Sequence, residues 1–97
     1  MNVVWTTDAE DTYEQNIAYL QDEWDDFVIS TFIENTDEAI AYIVDNPALY
    51  PFYDKKNKIR RCVIVKQISL YYKITETNIE LLLFWNNYQN PKKLKLK

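Results

Sequence analysis

The sequence predicts an α+β fold: an N-terminal strand, an antiparallel helix hairpin, then a three-stranded antiparallel meander with the helices on one face of the sheet. Three observations lead there. Apolar residues recur at helical spacing through residues 8–45. They follow strand spacing in three segments between residues 59 and 85. The connections between those segments are too short for anything but antiparallel neighbours.

Residues 3–7, Val-Val-Trp-Thr-Thr, are β-branched or aromatic throughout and predict the first strand. Thr7-Asp8-Ala9-Glu10 then fits a capping box, with Thr7 as N-cap and Glu10 reaching back to its amide. In the helix that follows, Tyr13, Ile17, Leu20 and Trp24 form one stripe, with Asp11, Glu14, Gln15 and Asp22 elsewhere on the cylinder. A second helix starts near Asp25 or Asp26 and runs to about Asp45, with Ile29, Phe32, Ile33, Thr36, Ile40, Ile43 and Val44 as its stripe. Asn46-Pro47 ends it, because the residue before proline avoids helical backbone. Residues 47–57 read as a loop in which some of Tyr50, Pro51, Phe52 and Tyr53 must pack, since so many aromatics do not suit a solvated segment. With no glycine in the chain, Asn57, Asn78, Asn87 and Asn90 are the residues expected to accept left-handed backbone.

The meander strands are expected at residues 59–65, 68–74 and 79–85, joined by Lys66-Gln67 and by residues 75–78. Regular pairing sets Val65 opposite Ile68, Val63 opposite Leu70 and Arg61 opposite Tyr72. It also sets Ile74 opposite Ile79, Tyr72 opposite Leu81 and Leu70 opposite Leu83. Opposed side chains share a face. One face is then Val63, Val65, Ile68, Leu70, Tyr72, Ile74, Ile79, Leu81, Leu83 and Trp85, and it is assigned to the core. The other carries Arg60, Cys62, Ile64, Ser69, Tyr71, Lys73, Glu80, Leu82 and Phe84. A solvent face should turn polar. This one retains Ile64, Tyr71, Leu82 and Phe84, each worth about 1.5 to 3 kcal/mol when buried. Two covers are open: the basic tail of residues 86–97 folding back, or a partner protein. The patch is rimmed by Arg60, Lys73 and the terminal lysines, Lys92 and Lys93 among them, which suits an acidic amphipathic peptide.

Charge is divided along the chain. Residues 1–54 hold 13 Asp and Glu and no basic residue, whereas residues 55–97 hold all 11 Lys and Arg against Glu76 and Glu80. The net −4 thus joins a −13 half to a +9 half, and it is the local potential that selects partners. Solvated acidic helices and a basic functional surface are both compatible with that division. Lys92, Lys93, Lys95 and Lys97 are the densest cationic run, either a binding element or a solubilising, partly mobile tail.

Composition excludes several classes. Ninety-seven residues, 47% hydrophobic, support one domain spanning 1–97. The single Cys62 rules out an internal disulfide and a multi-thiolate metal site, and the absence of histidine removes imidazole catalysis and zinc chemistry. No metal and no cofactor are expected. No basic residue precedes an apolar run at the start, so no signal peptide is expected, and no apolar run approaches a membrane span. The expected location is the cytoplasm.

Several pieces in order carry a resemblance. They are Val4-Trp5-Thr6-Thr7, Asp8-Ala9-Glu10, Ile17-Ala18-Tyr19-Leu20, Asn46-Pro47, Ile59-Arg60-Arg61, Ser69-Leu70-Tyr71-Tyr72-Lys73-Ile74, and Leu83-Phe84-Trp85-Asn86-Asn87-Tyr88-Gln89-Asn90-Pro91. Together with the element order, they resemble the RelE/ParE superfamily of toxins from type II toxin–antitoxin modules. RelE-like members cut mRNA in the ribosome with Lys, Arg and Tyr, whose cations hold phosphates and stabilise developing charge. In that branch the resemblance implies a basic residue where Ser69 stands and an arginine where Asn87 or Tyr88 stands, and neither is basic here. The remaining catalytic candidates are Tyr71, Lys73, Tyr88 and Arg60, with Lys73 blunted by Glu80 across the strand pair. Arg61 is expected on the core side beside Tyr72, where a structural role, such as pairing with a helix carboxylate, and a functional one are both open. A pI near 4.7 also disfavours a ribosome-binding nuclease, because phosphate contacts dominate such affinity.

ParE-like members poison DNA gyrase by binding, and the loss of nuclease cations brings the chain closer to that branch. The expectation is therefore a plasmid-stabilisation type toxin that binds a cellular target such as DNA gyrase and is neutralised by a cognate antitoxin. An antitoxin would cover Arg60, Ile64, Tyr71, Lys73, Leu82, Phe84, Lys92 and Lys93. The alternatives are a ribosome-dependent mRNA endoribonuclease and a non-toxic or decayed interaction module, so enzymatic activity stays open. No membrane partner, and no sequence-specific DNA binding by the chain alone, is expected.

Overall fold

The computed structural model describes residues 1–96. Its elements are β1 (Asn2–Trp5), α1 (Thr7–Glu23), α2 (Asp26–Asp45), β2 (Phe52–Asp54), β3 (Ile59–Val65), β4 (Ile68–Ile74) and β5 (Asn78–Asn86), followed by a 3₁₀ turn at Pro91–Lys93. The predicted meander is present and is widened at both edges into a five-stranded mixed sheet of order β1-β5-β4-β3-β2. β1 lies parallel to β5, the right place for a strand that precedes a crossover of two helices. β2 comes from the segment read as a loop, and its pairing with β3 uses some of the aromatics that had to pack.

The helices begin on side-chain caps. Thr6, one residue before the expected cap, accepts the Ala9 amide at 3.1 Å, so Glu10 takes no part in a capping box. Asp25 accepts the Val28 amide at 3.1 Å and starts α2 where predicted. The buried stripe of α2 is Phe32, Thr36, Ala39 and Ile43, while Ile33 and Val44 stay exposed on its flank. On α1, Leu20 is buried and Tyr13 and Ile17 pack against the core, but Trp24 closes the helix at the surface. Asn16 is the unexpected buried residue. β1 ends at the Trp5–Leu81 pair, so β5 runs on without a strand neighbour on that side. α1 supplies the missing partners: Thr12 Oγ1 accepts the Phe84 amide at 2.9 Å and Asn16 Nδ2 donates to the Phe84 carbonyl at 3.0 Å.

Two bulges reverse parts of the predicted register. The ends near the turns are as expected, with Val65 opposite Ile68, Ile74 opposite Ile79 and Tyr72 opposite Leu81. One extra residue in β3 between Val63 and Val65 then sets Val63 opposite Ser69 and Arg61 opposite Tyr71. One in β5, between Leu81 and Leu83, sets Leu83 opposite Tyr71 and Phe84 opposite Leu70. Because side chains alternate, one inserted residue turns every later one to the other face. Cys62, Ile64 and Phe84 therefore belong to the core with Leu70, Tyr72 and Leu81, contrary to the sequence-based assignment. Val63, Leu83 and Trp85 move to the outward face. Phe84, at 1% exposure, sits among Trp5, Tyr13 and Phe32 with ring centroids 5.2 to 6.0 Å away.

The expected asparagines do not carry left-handed backbone. Among the described residues other than glycine, Lys58 alone has positive φ, at 60°. Asn57 contributes through its side chain and amide instead, both bonded to Asp54 at 2.7 and 3.1 Å in the β2–β3 turn. These bonds hold the Asp54 carboxyl below its ordinary range. Among the described residues, no helix is long and apolar enough to cross a membrane.

Candidate functional site on the outward sheet face

The β3 bulge exchanges the roles of the two arginines. Arg60, expected on the outward face, turns to the helix side, where its guanidinium donates to the carbonyls of Ala48 at 3.2 Å and Tyr50 at 2.7 Å. It also lies over the Phe52 ring, 3.9 Å from the centroid. That arrangement ties the loop after α2 to the sheet and leaves Arg60 structural. Arg61, expected against Tyr72 in the core, stands on the outward face. Its Nε donates to Ser69 Oγ at 3.2 Å and a terminal nitrogen to Asn87 Oδ1 at 3.4 Å. Ser69 closes the triangle by donating to Asn87 Oδ1 at 2.9 Å.

Asn87 is fixed in turn. Its amide group donates to the Lys66 carbonyl at 3.0 Å, and its backbone amide to the Gln67 carbonyl at 2.7 Å. Ser69 and Asn87, the first where the resemblance implies a cation and the second one of the two positions where it implies an arginine, thus lie side by side around Arg61. Tyr71 completes the cluster, packed edge-on against Tyr53 with centroids 4.8 Å apart. Burial raises the Tyr71 pKa and the Arg61 guanidinium partly opposes the rise, so the phenol is neutral at physiological pH.

Arg61 and Tyr53 separate two cavities. One, of about 240 Å³, is walled by Tyr71, Trp85, Asn87 and Gln89 and closed on one side by Pro91 and Leu94. The other, of about 510 Å³, lies toward the sheet edge against Tyr50, Pro51, Phe52 and Val63. The tail extends further: Lys95 and Leu96 line a cavity with Leu82, Thr6 and Asp8 at the start of α1. Residues 91–96 therefore form a strap across the outward face, and Tyr71 is only 3% exposed there. Lys97 lies outside the described residues.

The other candidates scatter. Lys73 pairs with Glu80 as expected, at 3.9 Å and with both side chains about a third exposed, a distance at which the pair adds little. Tyr88 is exposed, its backbone amide bonded to Asn86 Oδ1 at 2.8 Å. Lys92 and Lys93 are exposed in the 3₁₀ turn, and Leu82 is half-buried at the bulge. Ile64 and Phe84 are sealed under the helices and offer nothing to a partner. Of the residues proposed from sequence, Tyr71 alone lies in the cluster. Arg61 was assigned to the core and Tyr53 to a loop, while Ser69, on the expected outward face, and Asn87 were noted only as positions without the cation that the resemblance implies. A cysteine in alternation with Ile64 was the available hint, since free cysteine is among the most buried residue types and places Arg61 on the opposite face.

No family model and no curated protein matches the chain. Among solved structures, a YoeB/ParE toxin from Agrobacterium tumefaciens superposes on 91% of this chain and 100% of its own, with a TM-score of 0.66 and 18% identity. The two chains share a fold. The α+β architecture expected from the RelE/ParE resemblance is thereby found, with the strand order and registers given above. On the side of the sheet away from the helices, Arg61 of β3 stands on a face crossed by the strap of residues 91–96.

Proposed function

We propose that this chain is a toxin of a type II toxin–antitoxin pair, one domain long, that acts by binding a cellular target such as DNA gyrase. A cognate antitoxin with an acidic segment neutralises it by covering the outward sheet face. One observation carries the preference for binding over cleavage. Among the described residues lining the cavity at Tyr71, Arg61 is the only cation, and two of its N–H groups are held by Ser69 and Asn87. Lys73, the one cation of β4 and β5, stands beside Glu80 at 3.9 Å. Phosphodiester cleavage places charge on several oxygens and calls for several aimed donors. A single anchored guanidinium between aromatic walls suits recognition of a carboxylate on a protein partner.

A second reading, the ribosome-dependent mRNA endoribonuclease, draws on one feature: the neutral Tyr71 phenol lies beside the Arg61 guanidinium, an acid next to a charge stabiliser. Induction in cells, with labelling of protein and DNA synthesis, separates the two. Binding to gyrase gives filamentation and a DNA-damage response with mRNA intact. Immediate translation arrest with mRNA cut within codons replaces the first reading by the second. Unchanged growth rejects both and leaves an interaction module.

A further inference from the structure

A second surface lies at the edge of the sheet. β2 pairs only with the first two residues of β3, so from Cys62 onward the edge of β3 extends beyond it. The Arg61 amide reaches sideways to the Pro51 carbonyl at 3.1 Å, the last bond of that edge. Two residues on, the backbone of Val63 points the same way. Side chains finish other open backbone, Thr12 and Asn16 at Phe84 and, on β3 itself one residue past Val63, Asn35 Nδ2 donating to the Ile64 carbonyl at 3.0 Å. Val63 itself is 55% exposed. Around it gather other large apolar residues with open surface: Tyr42, Phe52 and Tyr53. An exposed strand edge set in an apolar patch is a template for another strand.

The two sides of this edge differ in charge. Toward the outward face lies the 510 Å³ cavity, with Tyr50, Pro51, Phe52 and Tyr53 as walls. Toward α2 lies one of about 230 Å³ that includes Asn35, Glu38, Tyr42 and Cys62. Glu34, Glu38 and Asp45 share this flank of α2 by helical spacing, all exposed, and the helix carries no cation. A second copy of the chain paired edge to edge would continue the sheet and bring two such acidic flanks together, which is unfavourable. We infer that the β3 edge at Val63 receives an extended segment of a partner protein, whose side chains alternate between cationic toward α2 and apolar toward Tyr53. Strand alternation sends successive side chains into the two cavities, and main-chain bonds to Val63 fix the register. The assignment does not depend on the toxin reading.

The test uses two synthetic octapeptides, one alternating Lys with Val and one alternating Glu with Val, titrated into the full chain. The Lys peptide should bind at least tenfold tighter and slow hydrogen exchange at the Val63 amide at least tenfold. Val63→Pro removes the outward N–H at an edge position that tolerates proline. It should weaken binding at least tenfold while circular dichroism is unchanged. Glu38→Lys, a surface change that leaves the strand intact, should erase the preference between the peptides. Equal affinity for both peptides, or binding with Val63 exchange unaltered, overturns the inference. So does protection of Val63 by concentration-dependent dimerisation without peptide, which would give the edge to a second copy.

Discussion

Replacing Phe84 and Leu83 with alanine, one at a time, tests the bulge on which the site depends. In the observed register Phe84 is sealed among Trp5, Tyr13 and Phe32, and Leu83 is half-buried on the outward face opposite Tyr71. Truncating a buried phenylalanine costs about 3–5 kcal/mol, from lost transfer energy and the cavity left behind. The three ring contacts, each worth about 0.5–1.5 kcal/mol beyond area, place Phe84 in the upper part of that range. Leu83→Ala removes a side chain already partly in water and should cost about 1 kcal/mol. A domain of this size has roughly 5–15 kcal/mol in total. In urea, with a slope of about 1–3 kcal/mol/M, the two midpoints should separate by more than about 1 M. Equal costs, or a larger cost for Leu83→Ala, would refute the register and return Phe84 to the outward face.

Asn16→Leu keeps the volume near that of the native residue but leaves the Phe84 carbonyl unpaired, so it should cost about 1–3 kcal/mol by chemical denaturation. Arg60→Ala should lower stability by about 1.5–3 kcal/mol through its bonds to Ala48 and Tyr50. Arg61→Ala, which leaves Ser69 bonded to Asn87, should lower it less. Stability should also fall at alkaline pH. Burial raises Tyr71 and Tyr72, and pushes Tyr50 up to about 12, so the unfolded chain releases these protons first. With fewer protons bound when unfolded, the folded state loses ground as pH rises above about 10. Unfolding free energy measured against pH should therefore be level at neutrality and decline from there. Lys73→Ala should change stability by less than about 1 kcal/mol.

The helices and strands of this fold were legible because their periodicities are long and uninterrupted. Asp25 before an apolar run and Asn46-Pro47 after it bounded α2 nearly to the residue. The faces of the sheet were not. Leu81 to Trp85 is a run of five apolar residues, so no polar position marks the phase, and a bulge inside it is silent. Val63-Ile64-Val65 is equally uninformative in β3. The strand ends, tied to turns, came out right, and the error grew with distance from them. That error put Arg61 in the core and Phe84 at the surface. Asn16 and Asn87 were hidden for another reason. Each is explained by a carbonyl or hydroxyl contributed from far along the chain, and nothing local announces such a partner.

The outward sheet face, with Arg61 anchored by Ser69 and Asn87, is the surface we propose that this protein works through. Growth after induction of Arg61→Glu, compared with wild type at equal expression and with matching circular dichroism, tests it most directly. Arrest by the wild type and unimpaired growth with the variant are the expected outcomes. Arrest just as deep with Arg61→Glu would contradict it.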